Sequence, residues 1–149
     1  MREALLAGAV AAVFGVGVAS VWPAFGDRPV GEPLSSCLAT DGDTLRCGNE
    51  RIRLLGIDAP EMGGKCRRGR VCASGDPNAS KDNLRLATLG PLTVERVGTD
   101  RYGRTLALVA SADVDLSCRQ VEQGHAIYKP EWDNGGRLAA LCAATRHAP

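Results

Sequence analysis

Apolar residues along this chain fall into three patterns in turn: an unbroken run, short alternating stretches, and helical spacing. The run comes first. Behind Met1-Arg2-Glu3, the residues from Ala4 to Gly26 carry no charge and are mostly Ala, Val, Gly and Leu. At the start of a chain such a run reads as an export signal or a membrane anchor rather than a buried helix. Small residues offer cleavage after Ser20 or Gly26, and the uncharged length would also allow a span of about 20 residues. Residues 1–26 are therefore set apart as a signal peptide or N-terminal membrane anchor, and the fold is sought in residues 27–149.

Alternation takes over between Leu34 and Gly56, where the turn signals Asp41-Gly42-Asp43 and Gly48-Asn49 separate stretches of strand-forming residues. This predicts a three-stranded meander. In its third strand Ile52 and Leu54 face the core, and Arg51 and Arg53 face the other way. From Ala59 to Asp76 no period is visible, and so long a connection in a small domain tends to be functional. Helical spacing follows: Asp76 is a natural N-cap, Pro77 suits the first turn, and Ala79, Leu84, Leu86, Ala87 and Leu89 form an apolar stripe up to Gly90. Two further strands, Leu92 to Val97 and Arg104 to Ala110, flank a turn containing Gly98, Asp100 and Gly103. Short helices over Leu116 to Gln123 and Arg137 to Thr145 complete the chain. Three strands, a helix and two strands is the order of the five-stranded OB barrel. The expected class is therefore α+β, an OB-fold β-barrel with about three helices.

Composition narrows the setting. The 149 residues make one domain's worth of chain, and a formal net charge of +1 gives no strongly basic coat, so an anionic partner must be held by local charge. Six cysteines (Cys37, Cys47, Cys66, Cys72, Cys118, Cys142) lie downstream of the export segment, which favours disulfides over zinc. Neither His125 nor His147 completes a zinc pattern with them. A three-residue loop at Asp41–Asp43 sets Cys37 opposite Cys47, within reach of a cross-strand bond, and Cys66 and Cys72 are placed to tie down the long loop with Lys65, Arg67, Arg68 and Arg70. Spacing alone leaves about 15 connectivities open.

Three short segments carry candidate chemistry. Asp41-Gly42-Asp43-Thr44 puts two carboxylates in one tight turn, where a hard cation is one way to satisfy them. An EF-hand loop is excluded, since Arg46 and Ile52 stand where it needs Gly and Glu. The segment from Arg53 to Glu61 ends an apolar strand with Asp58 and Glu61 on either side of Pro60, which stiffens the turn. Asp100-Arg101-Tyr102-Gly103-Arg104 sets an arginine at the start of a strand. Each segment alone reads equally well as ordinary turn chemistry. Together they supply what phosphodiester hydrolysis needs: carboxylates for a divalent cation, a further carboxylate near an attacking water, and two guanidiniums whose forks match phosphate oxygens.

Asp41-Gly42-Asp43-Thr44, Arg53-Leu54-Leu55-Gly56-Ile57-Asp58-Ala59-Pro60-Glu61 and Asp100-Arg101-Tyr102-Gly103-Arg104 resemble, in order and spacing, the three signature segments of the staphylococcal nuclease (thermonuclease) family. The resemblance covers about residues 35 to 128. It implies a calcium-dependent endonuclease on an OB barrel, acting on DNA and RNA and leaving 3′-phosphate ends. Carried over by position, Asp43 and Asp58 coordinate Ca2+ together with the Ala59 carbonyl. Glu61 holds or activates water, Arg53 and Arg104 grip the phosphate, Asp41 stands behind the metal ligands, and Tyr102 lines the nucleotide pocket. Tyr128 and Lys129 match a second pocket tyrosine and the lysine after it. Mg2+ or Mn2+ would suit the same oxygen donors. The chain departs from the family pattern at Ala59, where a hydroxyl residue is common, at Gly56, in the two-cysteine loop after Glu61, and in a shorter region after Gly124. The expected protein is exported, periplasmic or secreted, monomeric, and at a membrane only if the first segment is retained. The alternatives are a domain of the same family that binds nucleic acid or a partner chain without cutting, and a calcium-binding or disulfide-stabilised envelope protein without catalysis.

Overall fold

The computed structural model describes residues 31–146 apart from Lys65 and Arg67. The segment expected to be a signal or anchor, those two loop cations and His147 lie outside the described residues.

The predicted meander forms as β2 (Cys37–Ala39), β3 (Thr44–Cys47) and β4 (Glu50–Leu54), preceded by a short edge strand β1 (Glu32–Leu34). β5 (Ile57–Asp58) follows at once; after the long loop come helix α1 (Pro77–Ala87), β6 (Leu92–Thr99), β7 (Thr105–Ser111) and β8 (Val114–Asp115). Helix α2 (Leu116–Glu122), β9 (Ile127–Tyr128), a single 3-10 turn (Pro130–Trp132) and helix α3 (Arg137–Arg146) complete the fold. The main sheet runs β1-β6-β7-β4-β3-β2, with β8 on β7, and its one parallel pair joins β4 to β7. With β2, β3, β4, β6 and β7 taken as barrel strands one to five, that is the OB order, in which strand three runs parallel to strand five. The sheet is a curled half-barrel with three helices.

Alternation decides what is buried. Leu45, Ile52, Leu54, Val94, Ala107 and Val109 point inward from successive strands and pack with Leu84 of α1, Leu116 of α2 and Leu138 of α3. Burying each such side chain is worth about 1.5–3 kcal/mol. The stripe expected on α1 is only partly correct. Leu84 and Ala87 are buried, but Ala79, Leu86 and Leu89 are exposed, and Ser80 takes the core-facing place instead. Its hydroxyl donates to the His125 carbonyl at 2.6 Å, while Gln120 of α2 donates through Nε2 to the carbonyls of Gly42 (2.6 Å) and Ser80 (3.0 Å). The two helices thus meet the Asp41–Asp43 turn through buried hydrogen bonds rather than through leucines.

Three disulfides staple this frame: Cys37–Cys47 between opposed residues of β2 and β3, Cys66–Cys72 within the long loop, and Cys118–Cys142 between α2 and α3. The first two are where strand register and loop position put them. The third spans 24 residues, and replacing both its cysteines with Ala should cost about 3 kcal/mol in a urea unfolding experiment, from the chain entropy regained by the unfolded state.

At the barrel's outer edge Glu50 accepts from Arg96 Nε and Nη2, both at 2.8 Å, and from the Thr105 hydroxyl. The Arg96 hydrogen bonds bring the Glu50 carboxyl down to about 2. Because the folded pKa is depressed, this stabilisation is present above the ordinary glutamate range and fades as pH falls toward 2. Glu50→Gln should therefore lower stability by roughly 1 kcal/mol at pH 7, after discounting for solvent, and by nothing measurable near pH 2. Thermal melts across that range test it.

Candidate active site

The turn between β2 and β3 is wound tightly by its own groups. Thr40 N–H donates to the Thr44 carbonyl at 2.9 Å and Asp43 N–H to Asp41 Oδ1 at 3.1 Å. Gly42 is required here by crowding: a Cβ would sit 1.9 Å from Ser80 Oγ and 2.7 Å from the Ala59 Cβ. The result is that Asp43 turns inward and is buried at 4% exposure. Its Oδ1 accepts from the Thr44 hydroxyl (2.9 Å) and Arg53 Nη1 (2.7 Å), and its Oδ2 from the Ala59 N–H (3.0 Å).

Asp58 is deeper still, at 1% exposure. It is held there by β5, which pairs with β9, Ile57 opposite Tyr128 and Asp58 opposite Ile127. Its Oδ1 bonds Arg70 Nη2 and lies 3.6 Å from Arg53 Nη2. Its Oδ2 is buried and completes no hydrogen bond, the Ala73 N–H tempering it only weakly. Burial raises the Asp58 carboxyl above the usual aspartate range. Arg70 pulls it back, Asp43 pushes it up again, and Arg53 lowers it. Asp41 is pushed up to about 6, chiefly by burial and then by the Asp43 charge. Three carboxylates close together in a dry place leave an excess of negative charge.

Glu61, half-exposed beyond Pro60, accepts from Arg70 Nη1 at 2.8 Å. Arg53, nearly buried, donates its second amine to the Ile57 carbonyl at 3.2 Å. Across a cleft of about 1120 Å³ stands the β6–β7 turn. Asp100 organises that turn, accepting from the N–H groups of Tyr102 (2.8 Å) and Arg104 (2.9 Å) and from Arg104 Nε (2.8 Å). Burial alone would raise Asp100. The Arg104 N–H and guanidinium together with the Tyr102 N–H win, and its carboxyl lies below the usual range. Tyr102 is half-exposed in the cleft, and the Arg104 guanidinium lies 5.5 Å from its ring centre.

The cleft is thus lined by Asp41, Asp43, Arg53, Ala59, Glu61, Tyr102 and Arg104, with Asp58 buried behind them. Six arginines line it beside five acids, so the cleft concentrates charge of both signs rather than a positive coat. Tyr128 and Lys129 are not among its lining residues. Tyr128 donates its hydroxyl to Asp133 at 2.6 Å, and Asp133 in turn accepts the N–H groups of Leu138 and Ala139 at the start of α3. Lys129 stands 5.5 Å from the ring centre of Trp132, which lines the cleft. Two residues that the sequence reading passed over are central. Arg70 bridges Asp58 and Glu61, and Trp132 gathers Arg53 (5.2 Å), Arg70 (5.1 Å) and Lys129 around one indole. Trp132 is one of two tryptophans in a chain with 4% aromatics, and that scarcity was the available signal.

Gly56, flagged as a departure, has φ of +71°, and a Cβ there would come within 2.8 Å of Leu138 Cδ2. It lets α3 close over the β5 end of the site.

As to metal, no group of three or more His, Cys, Asp or Glu side chains in a metal-holding arrangement occurs among the described residues. What the site offers is two buried carboxylates, one with an unpartnered oxygen, beside the peptide of Ala59. Such hard oxygen donors fit Ca2+ or Mg2+ better than a softer ion.

Paired acids and paired arginines thus share one cleft of an OB half-barrel. Comparison with known proteins agrees: the profile described as staphylococcal nuclease homologue matches residues 51–148, and the chain belongs to that family. It is 33% identical over 118 residues to succinoglycan biosynthesis protein ExoI of Rhizobium meliloti, covering 76% of this chain and 61% of that protein. It is 38% identical over 92 residues to an uncharacterized endonuclease of Haemophilus influenzae, covering 58% and 47%. The chain therefore spans only about half to three fifths of the length of these relatives.

Gly42→Ala should destabilise the fold by about 1–3 kcal/mol through overpacking against Ser80 and Ala59. Gly98→Ala, whose added Cβ meets nothing within 4 Å, should change it by less than about 0.5 kcal/mol. Equal urea midpoints for the two variants would contradict the crowding at Gly42.

Proposed function

We propose that this domain is a divalent-cation-dependent endonuclease, with Ca2+ the favoured ion, that hydrolyses DNA or RNA to 3′-phosphate and 5′-hydroxyl ends. The observation that carries the reading is the convergence of Arg53, Glu61 and Arg104 on one cleft backed by Asp43 and Asp58. Family membership and the endonuclease relative support it.

In this reading Asp43, Asp58 and the Ala59 carbonyl would hold the cation, with Asp41 behind them, and a bound cation would supply positive charge for the phosphate. Arg53 and Arg104 approach the phosphate from opposite walls. Arg53 spends two of its five N–H donors on Asp43 and Ile57, and three remain. Arg104 is aimed by Asp100. Glu61, half-exposed at the rim, accepts a proton from an attacking water or orients it. Water oxygen then bonds to phosphorus as its proton passes to Glu61 or to solvent, the bond to the 5′ oxygen breaks, and that oxygen takes up a proton from solvent. Tyr102 offers a ring face to the nucleotide at the scissile bond, while Tyr128 and Lys129 act by holding the wall that carries Trp132.

The three disulfides support a place in an oxidising compartment, periplasmic or outside the cell, with the chain acting as a monomer. No helix among the described residues is long and apolar enough to cross a membrane. Membrane attachment would thus rest on the first segment.

The purified chain should cleave single-stranded DNA or RNA with added Ca2+ and stop with chelator. Arg53→Ala, Arg104→Ala and Glu61→Gln should each lower turnover by about a hundredfold or more, while Arg85→Ala on exposed α1 should leave it unchanged. Binding of the same strands without any cation-dependent cleavage would replace the enzyme by a non-catalytic binding domain.

A further inference from the structure

Asp58 cannot be solvated at 1% exposure, so its charge must be matched from within the protein. Arg53 does this poorly, at 3.6 Å and with its first amine committed to Asp43. Arg70 does it directly: Nη2 bonds Asp58 Oδ1 and Nη1 bonds Glu61 Oε1 at 2.8 Å. One planar cation therefore joins the two carboxylates on either side of Pro60. A divalent cation bound to Asp58 competes with the guanidinium for the same carboxylate charge and removes the electrostatic reason for Arg70 to be there.

Arg70 is also delivered by a built device. It sits inside the ring closed by the Cys66–Cys72 disulfide, a sequence separation of 6, which limits how far its backbone can stray. Cys66 Sγ lies 3.0 Å from the Arg70 carbonyl oxygen. On its other side the guanidinium rests 5.1 Å from the Trp132 ring centre, a contact that does not depend on the acids and that reports on the position of Arg70.

We propose that Arg70 is the resident counter-ion of this site: it holds Asp58 and Glu61 together in the cation-free protein and must let go for a divalent cation to bind. The disulfide-closed loop thereby sets the cation affinity. The inference rests on the reading that Asp43, Asp58 and Ala59 hold the ion.

The test uses the full chain with Trp22→Phe, leaving Trp132 as its one tryptophan. Ca2+ is titrated with calorimetry and Trp132 fluorescence as readouts. Arg70→Ala should bind Ca2+ on the order of tenfold more tightly, the equivalent of one charge-assisted hydrogen bond no longer opposing binding. The Ca2+-induced fluorescence change of the parent should vanish in this variant. Arg70→Lys keeps the charge but cannot bridge two carboxylates, so it should fall between parent and Arg70→Ala. If Arg70→Ala does not fold, Arg70→Lys and the Cys66→Ser/Cys72→Ser pair, both expected to bind more tightly than the parent, decide the matter. Unchanged or weaker Ca2+ binding in the Arg70 variants overturns the inference and leaves the cation site standing. No Ca2+ binding by parent or variants removes the cation site itself, and the inference with it.

Discussion

The structure depends on housing the Asp43 and Asp58 carboxylates in a place that water does not reach. Without partners, carboxylates buried there would weigh heavily against the fold. Compensation comes from three directions: the Ala59 N–H and Thr44 hydroxyl on Asp43, Arg53 between the two acids, and Arg70 on Asp58. Much of the surrounding architecture brings those groups in. The β4–β5 corner delivers Arg53 and Ala59, the disulfide loop delivers Arg70, and the Gln120–Ser80 hydrogen bonds fix the turn from below. An arrangement this unfavourable for stability is expected where charge is needed for binding or chemistry.

The same constraint explains why the two arginines proposed as clamps differ. Arg53 is nearly buried, bonded to Asp43 and close to Asp58, so its position is coupled to theirs. Arg104 belongs to a turn that organises itself around Asp100 and faces the cleft from the other side. The gap between the walls is set by the β6–β7 pairing, which ends at Thr99 and Thr105 beside the Arg104 turn, and by the parallel β4–β7 contact, which sets Arg53 opposite Leu106. Barrel geometry thus fixes the distance across the cleft.

Much of this was legible in the residues, because it is encoded locally. Turn signals at Asp41–Asp43 and Gly48-Asn49, alternation through Ile52 and Leu54, and the Asp76-Pro77 cap each act over a few positions, and the meander and α1 formed as they required. What was missed is long-range or polar. β5 pairs with a segment about 70 residues later, and neither two-residue strand has a periodic signal of its own. Leu86 and Leu89 extended the apolar stripe of α1 on paper, yet a serine won the buried face because the neighbouring helix offers Gln120 rather than an apolar surface. Asp43, Arg53, Asp58, Glu61 and Arg104 stand out in the sequence because each belongs to a short local motif, and four of them line the cleft with Asp58 buried behind. Arg70 was hidden among other basic residues of an aperiodic loop, and only its contacts single it out.

The β5–β9 ladder ties the acid-bearing corner to residues 127–128, and Trp132 follows four residues on. A ribosome-bound chain that has not yet released those residues lacks the partner strand for Asp58 and the indole beside Arg53 and Arg70. The cleft is therefore among the last features to assemble, well after the sheet it sits on. Late assembly keeps the charged side chains of the cleft apart until residues 127–132 are in place: a partly made or stretched chain carries Asp43, Arg53 and Asp58 with no means of closing the corner around them.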